Sequence, residues 1–103
     1  MALTAGQIQI DFNSAIQQAD KLEGIADRLK KISDNKFQSA MQGIAANWKS
    51  DNASAYIRKA QLVQKKMNAS VEDLYTVAGE IRAAAKRMYD AEMAALLAIS
   101  TKI

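Results

Sequence analysis

The chain has 103 residues, with 14 Lys and Arg against 11 Asp and Glu, so its formal net charge is +3. This length suits one small domain spanning 1–103, and the charge excess is too small to predict a nucleic-acid partner. Cys, His and Pro are all absent. The composition therefore offers no disulfide, no thiolate metal site and no histidine base, and nothing forbids long helices. We expect an all-α protein without a cofactor.

A first helix is predicted from about residue 5 to about 45. Thr4 and Gln7 have the spacing of a capping box, in which each side chain satisfies a free backbone N–H. Apolar residues then recur in alternating steps of four and three, which is the spacing of a heptad seam. This first seam consists of Ile8, Phe12, Ala15, Ala19, Leu22, Ala26 and Leu29, and it resumes at Phe37, Met41, Ile44 and Trp48.

A turn is predicted at about 46–51, where Asn47 to Asn52 form a polar cluster rich in cap-forming residues. Ser50 or Asp51 can cap a second helix, predicted from about 52 to about 98. We placed its seam on Tyr56, Ala60, Val63, Met67, Leu74, Val77, Ile81, Ala84, Met88, Ala91, Ala95 and Ala98.

Two long helices joined by a short loop predict an antiparallel hairpin. The apolar stripes are wider than one helix partner can cover, and we expected Ile16, Ile25, Ile32, Val71 and Ala85 to face water beside the seams. Such a strip predicts dimerisation into a four-helix bundle, with a second copy or with a paralogous hairpin. The residues assigned to the core and dimer seam are Ile8, Phe12, Ile16, Leu22, Ile25, Leu29, Leu74 and Ile81.

The turn carries a recognisable motif: Trp48-Lys49-Ser50, followed by Ala53 and Tyr56. It resembles the WXG motif of the small ESAT-like proteins of type VII secretion systems, in which Trp-x-Gly lies in the turn of a helical hairpin. The resemblance covers essentially the whole chain. Ser50 stands where the family has glycine, which suits the turn only if its backbone φ is ordinary.

The family's second signature lies near the end of the second helix. The form Tyr-x-x-x-acid is not met, because Met93 follows Tyr89 by four residues. A broader pattern of hydrophobic and acidic positions is met by Met88, Glu92, Ala95 and Ile99. Tyr89 and Glu92 are three residues apart and so lie near one helix face. By resemblance, these five residues form the export segment.

The resemblance implies a protein that is exported folded, as a homodimer or heterodimer, without cleavage of a signal peptide. It implies a cytoplasmic protein before export and a secreted one afterwards, read by a membrane-anchored motor ATPase. Some such proteins act outside the cell in virulence or competition, and others accompany larger substrates. The N-terminal sequence agrees, since it has neither a basic n-region nor an apolar h-region.

Other functions remain open at this stage. A non-secreted helical adaptor would have the same pattern, and the apolar, Ala-rich stretch 91–99 allows a membrane-active protein. Lys59, Lys66 and Arg87 share a helix face with acidic residues, which is typical of a solvated surface rather than a nucleic-acid site. No phosphate loop or nucleophile elbow occurs, so we expect neither an enzyme nor a small-molecule substrate. Trp48 could pack across the mouth of the hairpin or recognise a partner.

Overall fold

The computed structural model describes residues 4–101, and almost all of them are helical. Helix α1 spans Ala5–Lys31 and continues without a break into a π-helical segment, Ile32–Phe37. Helix α2, Gln38–Asn47, follows directly, and helix α3 spans Asp51–Thr101. No strand occurs in the described range. The prediction of an all-α fold is therefore confirmed.

The helices start at the polar residues that the sequence indicated. The Gln7 N–H donates to the Thr4 hydroxyl at 3.1 Å, while the Gln7 side chain turns forward and donates to Asp11 Oδ1 at 2.9 Å. The first helical run ends at Asn47 rather than at about 45, and α3 begins at Asp51 and reaches Thr101 rather than 98. Both ends extend because Ala-rich sequence continues there without proline or glycine to stop it.

The sequence predicts one domain over residues 1–103, and within it the internal contacts form two compact units. We call Gly24–Tyr75 the turn unit; the terminal unit combines the residues up to Glu23 with those from Thr76 onward. Long paired helices make contacts only across their local neighbourhood, which favours such grouping.

In each unit the paired helices run antiparallel. In the terminal unit Phe12 stacks on Tyr89, with ring centroids 5.1 Å apart, and Asp20 pairs with Arg82. In the turn unit, contacts move backwards along α3 as the first helical run advances. The pairs there are Asp27 with Tyr75, Ser33 with Asn68, and Gln38 with Gln64.

The seam of the first helical run lies where its pattern placed it. Ile8, Ala19, Ala26 and Met41 are buried, and the remaining members from Phe12 to Phe37 are partly buried. The last two predicted positions, Ile44 and Trp48, are exposed. Two of these four buried positions are alanines.

The predicted seam of α3 is wrong at seven of its twelve positions, which are exposed: Tyr56, Val63, Val77, Met88, Ala91, Ala95 and Ala98. Besides Ala53, the buried residues of α3 are Val71, Ala78 and Ala85, each seven residues from the next, whereas the predicted Val63 and Val77 are exposed. Val71 and Ala85, expected to face water, are only 3% and 7% exposed. From Tyr56 to Ala95 each error is a shift by one residue, which rotates a helix position by about 100°.

The partly buried α3 seam members Ala60, Met67, Leu74 and Ile81 belong to both seams, so the four-three rhythm alone does not choose between them. The prediction followed Val63 and Val77 because they are more apolar than Gln64 and Ala78, the residues next to them that face the seam. The observed seam instead places alanines opposite a first helical run whose seam is itself rich in alanine.

The sequence pattern does not predict the π-helical segment. The spacing of the buried residues explains why this segment forms. After Leu29 the inward-facing residues are Ser33, Phe37 and Met41, each four apart. Repeated steps of four drift around an α-helix of 3.6 residues per turn, whereas the wider π turn absorbs the excess. The segment therefore keeps all four side chains in the seam.

A polar cluster occupies the seam at this point. Ser33 is fully buried, at 0% exposure, and its hydroxyl donates to Asn68 Oδ1 at 2.8 Å. Gln64 Nε2 donates to the Ser33 carbonyl at 2.9 Å and to Gln38 Oε1 at 3.1 Å. A polar group inside an otherwise apolar seam favours one register, because sliding would leave it without partners.

Replacement of Asn68 by Ala should therefore destabilise the fold by about 1–2 kcal/mol, since the buried Ser33 hydroxyl loses its acceptor. The double variant Ser33→Ala/Asn68→Ala should lose less than the two single variants added together. Urea unfolding followed by circular dichroism measures both. Gln61→Ala, at an exposed site on α3, is the matched control. Strict additivity of the two single effects would contradict the coupling.

Candidate partner-binding surface

The four residues of the turn motif lie together in the turn unit. Trp48 ends α2 in an extended conformation, with φ −122° and ψ 112°, and its N–H donates to the Ile44 carbonyl at 2.8 Å. Asn47 Nδ2 donates to the Gly43 carbonyl at 2.9 Å. The first bond satisfies a carbonyl in the last turn of the helix, and the second folds the Asn47 side chain back onto α2.

Ser50 is the residue that caps α3. Its hydroxyl accepts the Ala53 N–H at 3.2 Å, and its carbonyl accepts the Ser54 N–H at 3.1 Å. No residue in the described range has a positive φ. Serine therefore fits this turn without backbone strain and supplies a cap that glycine lacks. Ala53 is buried, which fixes the start of α3 against the rest of the turn unit.

Trp48 and Tyr56 are the exposed members of the motif, at 62% and 63%. They line an open groove of about 640 Å³, which we call the turn-end groove. Its other lining residues are Ala40, Gly43, Ile44, Asn47 and Ala60. Small residues and aromatic walls make the groove apolar, with the Asn47 amide as its main polar side chain. Such a lining suits an apolar side chain of another protein.

The burial of Trp48 bears on its role. A tryptophan that anchors the mouth of a hairpin buries most of its ring, whereas this one leaves most of its surface exposed. Tyr56 stands equally open beside it. Two exposed aromatic rings next to a groove are typical of protein-binding sites.

The residues assigned to the export segment all lie in the terminal unit. Met88, Ala95 and Ile99 are exposed, and Glu92 is partly buried. Tyr89 packs on Phe12 and is therefore tied to the helix pairing. Met88, Tyr89 and Glu92 line a small groove of about 110 Å³ with Ile8 and Phe12. The pattern thus combines three exposed apolar side chains with one carboxylate at the edge of the packed helices.

One lateral side of the helix pair is polar in each unit. In the terminal unit Arg82 pairs with Asp20 at 2.6 Å and also with Glu23. In the turn unit the Tyr75 hydroxyl donates to Asp27, and this hydrogen bond, more than burial, raises the pKa of Tyr75 above its ordinary value. These cross-helix contacts occupy one flank of the seam.

The opposite flank of the turn unit is apolar and uncovered. Ile25 lies about 200° around α1 from Asp27, and Val63 lies a similar angle around α3 from Asn68. Ile25, Ile32, Tyr56 and Val63 are all exposed. We call these four residues the open flank. Large apolar side chains gathered on one flank, beside a polar opposite flank, are the pattern expected of a protein-binding surface.

The sequence does not by itself predict the small residues of the turn-end groove. Ala40 lies four residues before Ile44, and Ala60 lies four residues after Tyr56, so helical spacing places each beside a predicted motif residue. Gly43 adds space, because nothing lies within 4 Å of a side chain built there. These spacings place the small residues next to the motif, but the residues form a groove only when α2 and α3 are paired.

Comparisons of the chain with protein-family models, with curated proteins and with solved structures found no match. In the described range no helix is long and apolar enough to cross a membrane. The same residues contain no group of acidic side chains arranged to hold a metal ion. The surface itself, with its open flank and turn-end groove, therefore carries the functional argument.

The Ser50 cap can be tested by substitution. Ser50→Ala should lower the free energy of unfolding by about 1 kcal/mol, whereas Ser50→Gly should cost only a few tenths. Chemical unfolding of the three proteins measures the difference. Ser54→Ala serves as the control, because Ser54 is exposed inside the helix. A Ser50→Gly variant that loses as much as Ser50→Ala would contradict the capping role.

Proposed function

We propose that the protein works by pairing with another helical hairpin in a four-helix bundle, and that a type VII secretion system exports this folded assembly. Outside the cell it acts as a secreted effector or as the co-secreted partner of another protein. The observation that carries the pairing is the open flank of the turn unit. Four large apolar side chains there are exposed on one side, while the other side is closed by polar contacts.

A second helix pair packed against the open flank would bury apolar side chains that a single pair leaves exposed. The seam itself is narrow, because its most buried residues are mainly alanines, so the flanking Ile and Val side chains hold much of the remaining apolar surface. A second pair of helices covers both flanking rows together, as in other four-helix bundles.

The export part of the proposal draws its support from the turn and from the end of α3. Trp48 and Tyr56 are displayed at the turn, and Ser50 fits its backbone without a positive φ. Met88 and Ile99 are exposed beside the partly buried Glu92. These residues are open to a partner without disrupting the pairing of the helices.

Pairing predicts that light scattering at tens of micromolar finds two chains per particle, with a second copy or with a co-expressed hairpin. Val63→Ser should weaken self-pairing about tenfold, because an apolar side chain is lost from each side of the interface. Leu62→Ser is the matched control, since Leu62 is also apolar and exposed but lies outside the open flank. A stable monomer under both conditions, or equal effects of the two variants, would contradict pairing through this flank.

Export predicts uncleaved protein in the culture supernatant, identified by its intact mass and absent when the motor ATPase is deleted. Glu92→Ala should reduce the exported fraction while leaving the helical circular dichroism unchanged. Asp90→Ala is the matched control, because it removes only a surface ion pair with Lys86 at 3.1 Å.

Two results would count against export. Retention of the protein in every strain would favour the non-secreted adaptor instead. Equal export of the Glu92→Ala and Asp90→Ala variants would remove Glu92 from the signal and leave the turn motif as its remaining part.

A further inference from the structure

The charges of α3 are divided into two blocks. Residues 58–66 contain four cations and no anion, and residues 72–80 contain three anions and no cation. The intervening residues 67–71 are uncharged. A helix with this order of charges has a basic block and an acidic block on either side of a neutral centre near Ser70.

Four of these charges form one row along the helix. Lys59, Lys66, Asp73 and Glu80 are each seven residues apart and all exposed. None has an opposite charge three or four residues away, and none forms an ion pair within residues 4–101. An i,i+4 partner is the usual way to neutralise a charge on a long helix. This row therefore lacks the local pairing that Lys86 and Asp90 show.

An apolar row runs beside the charged one. Val63, Ser70 and Val77 are also seven apart and exposed, and helical spacing places each about 40° from the charged row. On the side nearer the seam lie Met67 and Leu74, which are partly buried. The three rows have a common centre, because Lys66 and Asp73, Val63 and Val77, and Met67 and Leu74 all flank Ser70.

We propose that the occupant of this α3 face is a second copy of the same chain, aligned antiparallel, with the two-fold axis at Ser70. This inference rests on the proposed pairing function and names its partner. In that alignment Lys66 faces Asp73 of the second copy, and Lys59 faces its Glu80, each pair occurring twice. Val63 meets Val77, Met67 meets Leu74, and Ser70 meets Ser70.

Charge complementarity selects this alignment over the parallel one. A parallel pair would place each charge of the row beside itself, with Lys next to Lys and Asp next to Asp, which is repulsive at every position. A two-fold axis perpendicular to the helices makes the same surface complementary to itself. The polar Ser70 at the centre also favours this register, because only here does it lie opposite the polar Ser70 of the second copy.

The absence of cysteine from the chain makes cross-linking a direct test of the register. Ser70→Cys should form an intermolecular disulfide under mild oxidation, because only a residue at the two-fold axis lies opposite itself. Ala69→Cys is the matched control: it is exposed on the same helix but rotated about 100° from the axis. The cross-linked fraction should be at least about fivefold greater for Ser70→Cys. Val63→Cys and Val77→Cys should cross-link to each other when mixed.

Charge reversal provides an independent test of the same alignment. Lys66→Glu should weaken self-association about tenfold at low ionic strength, because one attractive pair becomes repulsive at two places in the dimer. Lys66→Glu/Asp73→Lys should restore it to within about twofold. Lys65→Glu makes the same change of charge at an exposed neighbour outside the row and should have little effect.

The outcomes of these experiments distinguish a wrong alignment of two copies from a failure of the proposed pairing itself. Dimers that cross-link equally through Ala69→Cys and Ser70→Cys, or that the double reversal fails to restore, would overturn the alignment and leave pairing intact. A chain that stays monomeric alone but pairs with a different hairpin would overturn self-pairing only. A monomer under both conditions would overturn the proposed pairing as well.

Discussion

The helices of each unit meet along a seam whose most buried side chains are small. Ala19 and Ala26 on α1, and Ala78 and Ala85 on α3, have almost no exposed surface. Alanine lets helix axes approach closely, but each alanine buries little apolar area. Larger side chains such as Ile8, Met41 and Val71 are also buried in the seam, while further Ile and Val side chains lie beside it. Close pairing of the helices therefore leaves much of the apolar surface of the chain on the flanks.

The two flanks of the turn unit are used differently. One is closed by hydrogen bonds, from Tyr75 to Asp27 and from Ser33 to Asn68, which fix the register of the helices. The Ser33 bond lies where the π-helical turn widens the first helical run. Polar contacts here add specificity more than stability, because their groups were already hydrogen-bonded to water before folding. The other flank carries Ile and Val side chains that no element of the turn unit covers.

Much of this could be read from the sequence, and the exceptions share a physical cause. The all-helical class, the seam of the first run and the Ser50 cap follow from local periodicity and capping rules. The π-helical segment does not, because it is a response to packing: Ser33 and Phe37 stay inward only if the turn widens. The turn-end groove likewise exists only once α2 and α3 are paired. The π-helical segment and the turn-end groove depend on tertiary contacts, which the local sequence pattern does not encode.

The one-residue error on α3 is informative about what the sequence encodes. Two apolar rows run side by side on this helix, one through Val71 and Ala78 and the other through Val63 and Val77. Either row can complete a heptad seam with the shared Met67 and Leu74, so this sequence contains two overlapping heptad patterns. The helix pairing buries the row through Val71, Ala78 and Ala85. The row with the exposed valines is bordered by charges that have no partner within α3, and in the alignment that we propose their order specifies the direction in which a second copy binds.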